Sequence, residues 1–339
     1  MSIARQKAQP VGKGFAPYRW AAAADEVATR HGIPREAVLK FDQNTPPLPG
    51  VPQVPLAASM ARLADYPDGS YRELREAAAA YTGLAPENVV VGAGADDLIL
   101  LLAQTFLGPG GRAAVSEPTY ALYRIATRLH GAAVVDVADE ADLVWACNPN
   151  NPTGSWVEPE ELVSLARERP DTILVVDEAY VEFGARSCAP WVDELENLVV
   201  VRTMSKAWGL AGLRIGYAAC STSDLAREIE KARGPYKVNA AANAAALAAL
   251  QDDAGWMRDR VRDARESRGC LARRLAAMGL EAVPSDANFV FVPMSGGAAV
   301  EKAMRERGVA IRAFREGTRV TVGPWPMMES CLEALAACV

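Results

Sequence analysis

The chain has 339 residues and a mass of 36.2 kDa, the size of one large or two moderate domains. Half of the residues are hydrophobic and 23% are charged, which argues against intrinsic disorder. A net charge of −6 without a long basic run makes nucleic acid a poor partner. No apolar stretch approaches the roughly 20 residues of a membrane-spanning helix, so we expect no membrane association.

The cysteines and histidines restrict the chemistry further. Six cysteines are scattered singly, which predicts free thiols in the reducing environment of the cytoplasm. The N-terminus has charge but no apolar core behind it, so we expect no secretory signal. Only two histidines, His31 and His130, are present, too few for a typical His-ligated metal or a Ser-His-Asp triad. We therefore expect no metal site, and any catalysis must use Lys, Asp, Tyr or Arg.

The first half of the chain predicts a doubly wound sheet. The first 65 residues are irregular and proline-rich, which predicts an extended arm. A helix is predicted from Ser70, with Ser70 as N-cap and Glu73 completing a capping box. The elements predicted next are strand Asn88–Val91, helix Asp96–Phe106, strand Ala113–Ser116, helix Thr119–His130, and strands Leu143–Ala146, Ile173–Val176 and Leu198–Arg202. This alternation is typical of a parallel α/β sheet covered on both faces.

The second half predicts a smaller α+β domain. Residues 240–280 are rich in Ala, Arg and Leu and predict long helices. The tail predicts strands Asn288–Val292, Ala310–Ala313 and Arg319–Val322 and a closing helix Glu329–Cys338. We expect a ligand between the two domains, at the carboxyl ends of the parallel strands.

Two loops that follow predicted strands are candidates for ligand binding. The turn Val91–Asp97 (VGAGADD) opens a helix and offers backbone N–H groups to a phosphate, although an ordinary strand–helix turn has the same pattern. The loop Asn148–Gly154 (NPNNPTG) is made rigid by two prolines and a glycine and presents Asn side chains, although it too is compatible with a simple turn.

Two further motifs carry ionisable groups. Asp177 follows an apolar strand in the motif DEAY, where a carboxylate needs a cationic partner such as a protonated ring nitrogen, unless it only caps a helix. Lys206 lies among small and apolar residues in TMSKAWGLAGLRIGY, where burial lowers an amine pKa; a surface lysine is the alternative. Ser205 and Arg214 of the same motif are suitable donors for a phosphate dianion.

These motifs together predict one cofactor. Asn151, Asp177 and Lys206 are each separated by about one strand–helix–strand unit, so we expect them on the same rim of the sheet. The motifs predict pyridoxal phosphate as the ligand. They offer an acid for its ring nitrogen, an amide for its ring hydroxyl, a lysine for its aldehyde and donors for its phosphate.

With these motifs, the chain resembles the fold-type I, class I/II aminotransferases that use pyridoxal phosphate, most closely the histidinol-phosphate aminotransferase group, from about Tyr66 to Val322. The resemblance implies an aspartate-aminotransferase-like α/β fold, with a mostly parallel seven-stranded cofactor-binding domain and a small α+β domain. It implies that residues 1–45 form an arm and part of the small domain, 46–235 the large domain, and 236–339 the small C-terminal domain. It also implies a homodimer in which Tyr66, in DYPDGSYRELRE, reaches the phosphate site of the partner.

The resemblance assigns roles around the cofactor ring. Lys206 resembles the lysine that forms the internal aldimine, and Asp177 the carboxylate that keeps the ring nitrogen protonated. Asn151 and Tyr180 are similar to the hydrogen-bond partners of the ring oxygen, and Tyr120 to the aromatic residue stacked on the ring.

Phosphate and substrate contacts are implied in the same way. The implied phosphate contacts are the backbone amides of Ala95 and Asp96 and the side chains of Ser205 and Arg214. Arg319 in GTRVTVG sits where the family's carboxylate-binding arginine lies, and Asn44 and Asn288 are assigned to the substrate side. The chain departs from the family pattern at 42–46 (DQNTP) and at Lys237, and we interpret both departures as concerning the substrate.

The implied reaction is a ping-pong transamination through a Lys206 aldimine. It moves an amino group between an amino acid and a keto acid or phosphorylated carbonyl compound. Lys237, Arg312, Arg315 and Arg319 favour an anionic substrate. Two alternatives remain open: a decarboxylase similar to the threonine-phosphate decarboxylases or another biosynthetic enzyme with this cofactor, and, more remotely, a non-catalytic regulator that binds the cofactor. A nicotinamide dehydrogenase is disfavoured because the glycine loop lacks the full fingerprint.

Overall fold

The computed structural model describes residues 18–45, 64–251 and 255–339. Most of the proline-rich stretch predicted as an arm lies outside these residues. The described α-helices are α1 (Ala24–His31), α2 (Arg72–Thr82), α3 (Ala95–Phe106), α4 (Leu122–Leu129), α5 (Pro159–Glu168), α6 (Ser223–Arg233), α7 (Ala240–Gln251), α8 (Gly255–Ala277), α9 (Gly297–Glu306) and α10 (Trp325–Ala336). The described strands are β1 (Leu39–Lys40), β2 (Val89–Gly92), β3 (Arg112–Val115), β4 (Ala133–Val135), β5 (Leu143–Cys147), β6 (Ile173–Asp177), β7 (Leu198–Thr203), β8 (Gly216–Cys220), β9 (Phe289–Pro293), β10 (Val309–Ala310), β11 (Arg312–Ala313) and β12 (Gly317–Thr321).

Seven strands form one mostly parallel sheet in the order β2-β8-β7-β6-β5-β3-β4. Only β8 is antiparallel to its neighbours, β2 and β7. Successive residues of a strand point to opposite faces: Val175 and Val199 pack beneath α3, α4 and α6, whereas Leu174 and Val176 pack with α5. Both faces of the sheet are therefore buried, which explains its near-continuous apolar strands and confirms the predicted α/β sheet.

A smaller α+β unit lies around two further sheets. Strands β11, β12 and β9 form an antiparallel sheet, and β1 pairs in parallel with β10. Phe41, directly after β1, is fully buried against Leu271, Val290 and Met328. The N-terminal segment therefore shares a core with the C-terminal elements, and the predicted domain limits at 45/46 and 235/236 stay a prediction.

Two predictions for the N-terminal third were wrong. The first 65 residues are not uniformly irregular, because they contain α1 and β1. Helix α2 begins at Arg72, without the predicted capping box: the Ser70 hydroxyl donates to Asp68 instead, and Tyr71 stands at the N-cap with φ 48°. The physical reason is tertiary, since the buried Tyr71 hydroxyl donates to the Val238 carbonyl and accepts from the Val238 N–H, both at 3.0 Å.

Element boundaries differ elsewhere too. Residues 310–313, predicted as one strand, belong to two strands in different sheets, and α4 is shorter than predicted. The closing helix begins at Trp325, with Pro326 in its first turn, where proline loses no helical hydrogen bond. No helix of the described ranges combines the length and apolar character needed to cross a membrane.

Candidate active site

The candidate site lies where the parallel strands β5, β6 and β7 end. Cys147, the last residue of β5, is in register with Asp177, the last residue of β6, and Asp177 is in register with Val201 of β7. The NPNNPTG loop, the DEAY motif and the Ser205–Lys206 segment therefore leave the sheet at one edge. The structure thus brings together three of the four candidate motifs at the carboxyl ends of β5, β6 and β7.

Lys206 presents a half-buried amine to this edge. Its Nζ donates to the backbone carbonyl of Gln43 at 3.1 Å and lies 5.7 Å from the centre of the Tyr180 ring. Burial, assisted by the positive charges of Arg319 and Arg214, lowers the pKa of Lys206 to about 8. An amine with this pKa can both accept and release a proton close to neutral pH.

Asp177 is a buried carboxylate that accepts hydrogen bonds from neutral groups. Its oxygens accept from the Tyr123 hydroxyl at 2.7 Å and from the Ala179 N–H at 3.1 Å. Tyr123 is itself held by stacking on Trp145, with the ring centres 5.3 Å apart. Burial raises the pKa of Asp177 to about 6, despite these hydrogen bonds. A cation placed against this carboxylate would stabilise its ionised form.

Tyr180 is held by the N-terminal segment. Its hydroxyl accepts from the Asn44 side-chain amide at 3.1 Å, and the Asn44 side-chain oxygen accepts from Thr321 at 3.0 Å. Asn288 donates to the Asn44 backbone carbonyl at 3.1 Å. Asn44 and Asn288 thus lie in the site, where their contacts hold Tyr180 and the segment that carries Asn44.

Arg319 is buried between two aromatic rings. Its guanidinium lies 5.4 Å from the ring centres of both Phe289 and Phe314. It donates to the Asn151 side-chain oxygen and, at 2.8 Å, to the Asp42 carbonyl. Its Nε has no hydrogen-bond partner in the described part of the chain, and burial lowers its pKa. A buried guanidinium with an unused N–H is suited to bind an anionic group.

A cradle of donors lies at the N-terminus of α3. Ala95 and Asp96 occupy the first turn, whose N–H groups have no preceding helical carbonyl to bond. Arg214 donates to Ser205 Oγ at 3.3 Å and to Asp96 at 3.1 Å. Gly94 has φ +88°, which favours glycine, and a Cβ atom at this position would lie 2.8 Å from the Arg214 guanidinium and displace it. Backbone N–H groups, a hydroxyl and a guanidinium at a helix N-terminus suit a phosphate.

The structure places the two predicted residues Tyr120 and Tyr66 differently. Tyr120 donates its hydroxyl to Asp96 at 2.9 Å and therefore lines the site. Tyr66 does not enter the site of its own chain: its side chain is 80% exposed and stacks on Tyr236, with ring centres 4.4 Å apart. Lys237, interpreted from sequence as a substrate-side residue, instead bonds Asp97 in the first turn of α3 at 2.8 Å.

Sequence reasoning missed two polar residues of the site, Tyr123 and Thr321. Tyr123 lies three positions after Tyr120, and Thr321 lies two positions after Arg319 on the same face of β12. Both spacings are signals that could have found them, since residues two apart in a strand share a face.

Comparison with known proteins agrees with this geometry. The family model described as aminotransferase class I and II matches residues 36–335. The chain is 34% identical to a histidinol-phosphate aminotransferase of Halalkalibacterium halodurans, covering 97% of this chain and 96% of that protein. It is 36% identical to histidinol-phosphate aminotransferase 1 of Bradyrhizobium diazoefficiens, covering 85% of this chain and 89% of that protein.

Solved structures show the same fold. A histidinol-phosphate aminotransferase from Sinorhizobium meliloti, in complex with pyridoxal-5'-phosphate, aligns with a TM-score of 0.85 at 27% identity, covering 98% of this chain and 96% of that chain. An L-threonine-O-3-phosphate decarboxylase from Porphyromonas gingivalis aligns with a TM-score of 0.77 at 24% identity, covering 88% of this chain and 99% of that chain, a likeness that extends to the fold alone. The chain belongs to the class I and II aminotransferases.

Proposed function

We propose that Lys206 is the catalytic amine of a transamination in which this chain acts on anionic amines and their carbonyl counterparts. The observation that carries the proposal is the Lys206 amine, with its pKa lowered to about 8, at an edge shared with Asp177 and Arg319. The enzyme is a transferase of amino groups that uses pyridoxal phosphate. When bound, this cofactor supplies an aldehyde for the amine and a ring that withdraws electrons from the substrate Cα.

The residues present fit this cofactor. Asp177 is a buried carboxylate with neutral donors, and a protonated ring nitrogen is the kind of cation that would lower its raised pKa. The cradle of Ala95, Asp96, Ser205 and Arg214 offers the donors a phosphate needs. We assign Asn151 and Tyr180 to the ring oxygen, because Asn151 bonds Arg319 and the Tyr180 ring lies 5.7 Å from the Lys206 amine. We assign Tyr120 to the ring face, because its hydroxyl bonds Asp96 of the cradle.

The chain's own groups then perform the proton transfers. Lys206, once its amine is free, would accept the proton from the substrate Cα and, as an ammonium, would deliver it to the former aldehyde carbon of the cofactor instead of to Cα. The Gln43 carbonyl offers an acceptor that orients this amine. Tyr180 is fixed by Asn44, so its hydroxyl has a defined position in the site.

The substrate side favours an anion. Arg319 is buried and donates hydrogen bonds to the Asn151 side chain and the Asp42 carbonyl, while its Nε–H has no partner among the described residues. We propose that it binds the carboxylate of the amino donor, with Asn44 and Asn288 shaping the same region. Histidinol phosphate is the first phosphorylated amine to test, because the relatives reported above bear its name.

We also propose a homodimer in the cytoplasm, in which Tyr66 reaches the partner's phosphate site. The 80% exposed ring of Tyr66, which stacks on Tyr236, supports this arrangement. All six cysteines are free thiols, which supports a reducing compartment.

The test is a half-reaction followed by visible absorbance. The purified, cofactor-loaded protein is mixed with one amine at a time, without any carbonyl acceptor, beginning with glutamate and histidinol phosphate. Loss of the visible band together with formation of the matching carbonyl product establishes transamination and names the donor. Release of CO₂ without a carbonyl product would instead establish a decarboxylase. A Lys206→Ala variant should bind the amine yet form no product.

A further inference from the structure

Lys237 connects a separate loop to the phosphate cradle. It lies in residues 234–239, between α6 and α7, and its Nζ bonds Asp97 Oδ1 at 2.8 Å. The other Asp97 oxygen accepts from the Ala93 N–H at 3.0 Å, within the glycine turn that precedes α3. Asp97 is mostly buried, with 17% of its side chain exposed, whereas that of Lys237 is 41% exposed. The ion pair therefore stands against the turn that forms the cradle.

The Lys237–Asp97 pair reduces an excess of negative charge at the cradle. Asp96 and Asp97 place two carboxylates in the first turn of α3, where a phosphate would add nearly two further negative charges. The helix dipole offsets only about half a charge. Among the described residues, Asp96 is paired with Arg214 and Asp97 with Lys237. Without Lys237, Asp97 would be an uncompensated negative charge in the helix turn where we place the phosphate.

We propose that Lys237 is a positioning residue for the cofactor phosphate, which acts by neutralising Asp97 in the first turn of α3. The inference rests on the placement of the phosphate at α3 proposed above. It also replaces the substrate-side interpretation of Lys237. Because Lys237 acts through Asp97, its removal should weaken binding of the phosphorylated cofactor selectively.

The loop of residues 234–239 is held by contacts that do not involve the Lys237 side chain. A substitution of Lys237 therefore tests the charge of its amine. Val238 is bonded in both directions to the Tyr71 hydroxyl, and the Asn239 side chain accepts from the Ala242 N–H at 2.8 Å at the start of α7. These contacts do not involve the Lys237 side chain. The backbone of residues 238 and 239 should therefore keep its position when the amine is removed.

The experiment compares two ligands of the cofactor-free protein: pyridoxal phosphate and pyridoxal, which lacks the phosphate. Dissociation constants are measured by absorbance titration for wild type, Lys237→Met, Lys237→Arg and the double variant Asp97→Asn/Lys237→Met. We expect Lys237→Met to weaken pyridoxal phosphate binding roughly threefold to tenfold while pyridoxal changes less than about twofold. Lys237→Arg should keep the wild-type ratio, and the double variant should recover most of the loss.

Two outcomes overturn the inference. An unchanged ratio of the two dissociation constants in Lys237→Met would show that the pair is an ordinary exposed ion pair. An equal weakening of both ligands would show a general structural role. Arg214→Met separates this inference from the proposed function: if it leaves the preference for the phosphorylated ligand intact, the phosphate is not at α3. If it removes that preference while Lys237→Met does not, only the role of Lys237 fails.

Discussion

At the scale of single residues, the buried Asp177 carboxylate is suited to a bound cation, but its charge lowers the free energy of unfolding of the cofactor-free protein. Burial raises the pKa of its carboxyl from 3.8 to about 6. Between these values the folded state binds more protons than the unfolded state, so the free energy of unfolding falls as pH rises. Below this range both states are protonated and the cost vanishes, whereas above it the full cost is present.

Asp177→Asn should therefore stabilise the cofactor-free protein at about pH 8. We expect the free energy of unfolding to rise by about 1–3 kcal/mol, with no gain at about pH 4. Asparagine keeps an acceptor for the Tyr123 hydroxyl but loses the hydrogen bond from the Ala179 N–H, a loss that applies at both pH values, so the difference between the two pH values reports the buried charge. Urea unfolding at the two pH values measures the effect, and transamination should be lost in the same variant. Destabilisation at both pH values would contradict the assignment of a buried, costly charge.

The Lys206 amine permits a second prediction. Its pKa is lowered to about 8, first by burial and then by the charge of Arg319, whereas a lysine in water titrates near 10.4. Acetylation of the cofactor-free protein, followed by mass spectrometry, should give a half-maximal rate at Lys206 near pH 8. Arg319→Met should move the Lys206 midpoint upward; a wild-type midpoint near the 10.4 of a lysine in water would contradict the burial argument.

The placement of single residues was predictable where a motif carries them, whereas their roles stay a prediction. Asp177 ends β6, and Asn151 and Lys206 come shortly after the ends of β5 and β7, so their common edge follows from parallel topology. Their partners were not predictable in the same way. Tyr123 contacts Asp177 from a helix, and Lys237 meets Asp97 across 140 positions of sequence, so both contacts depend on tertiary packing.

At the scale of elements, β8 controls how closely the cradle approaches the sheet. This antiparallel strand was not predicted, because its sequence GYAAC lacks the branched apolar residues of its neighbours. At its first residue, Gly216, a Cβ atom would lie 2.6 Å from the Arg202 carbonyl and 3.1 Å from the Ala95 nitrogen. Glycine is therefore required here by close backbone contacts with both β7 and the first turn of α3.

Gly216→Ala should disturb both stability and the cradle. We expect a loss of about 1–3 kcal/mol in the free energy of unfolding, because the contacts are backbone atoms that cannot rotate away. Binding of pyridoxal phosphate should weaken as well, since the Ala95 N–H is displaced. Gly212→Ala is the matched control: nothing lies within 4 Å of its Cβ position, and we expect a change within about 0.5 kcal/mol. Equal effects of the two variants would contradict the clash.

The N-terminal segment shows where element prediction reached its limit. Strand β1 has only two residues and pairs with β10 across most of the chain, so no local pattern marks it. The prolines and the scarcity of apolar periodicity favoured an irregular arm. The buried Phe41 instead anchors this segment in the small unit, which places Asp42, Gln43 and Asn44 at the site.

At the scale of the whole molecule, the site is assembled from distant parts of the chain. Three successive carbonyls of the N-terminal segment each accept from a different side chain: Asp42 from Arg319, Gln43 from Lys206 and Asn44 from Asn288. Arg319 and Asn288 belong to the small unit, whereas Lys206 follows the large sheet. The segment therefore couples the substrate side to the catalytic amine.

The proposal that Tyr66 of one chain serves the site of a second chain can be tested by complementation. Lys206→Ala and Tyr66→Ala chains are co-expressed with different tags, and the mixed dimer is purified through both tags. If Tyr66 serves the partner, one of its two sites combines an intact Lys206 with an intact Tyr66. The mixed dimer should then show about half of the wild-type activity.

The parent variants make this outcome decisive. Lys206→Ala dimers should be inactive, and Tyr66→Ala dimers should bind pyridoxal phosphate more weakly and turn over more slowly. If Tyr66 served its own chain, every site of the mixed dimer would carry a defect and no activity above that of the Tyr66→Ala parent would appear. The 80% exposed ring of Tyr66, which stacks on Tyr236, favours recovery. Recovery would also establish the dimer, because two chains would have to share one site.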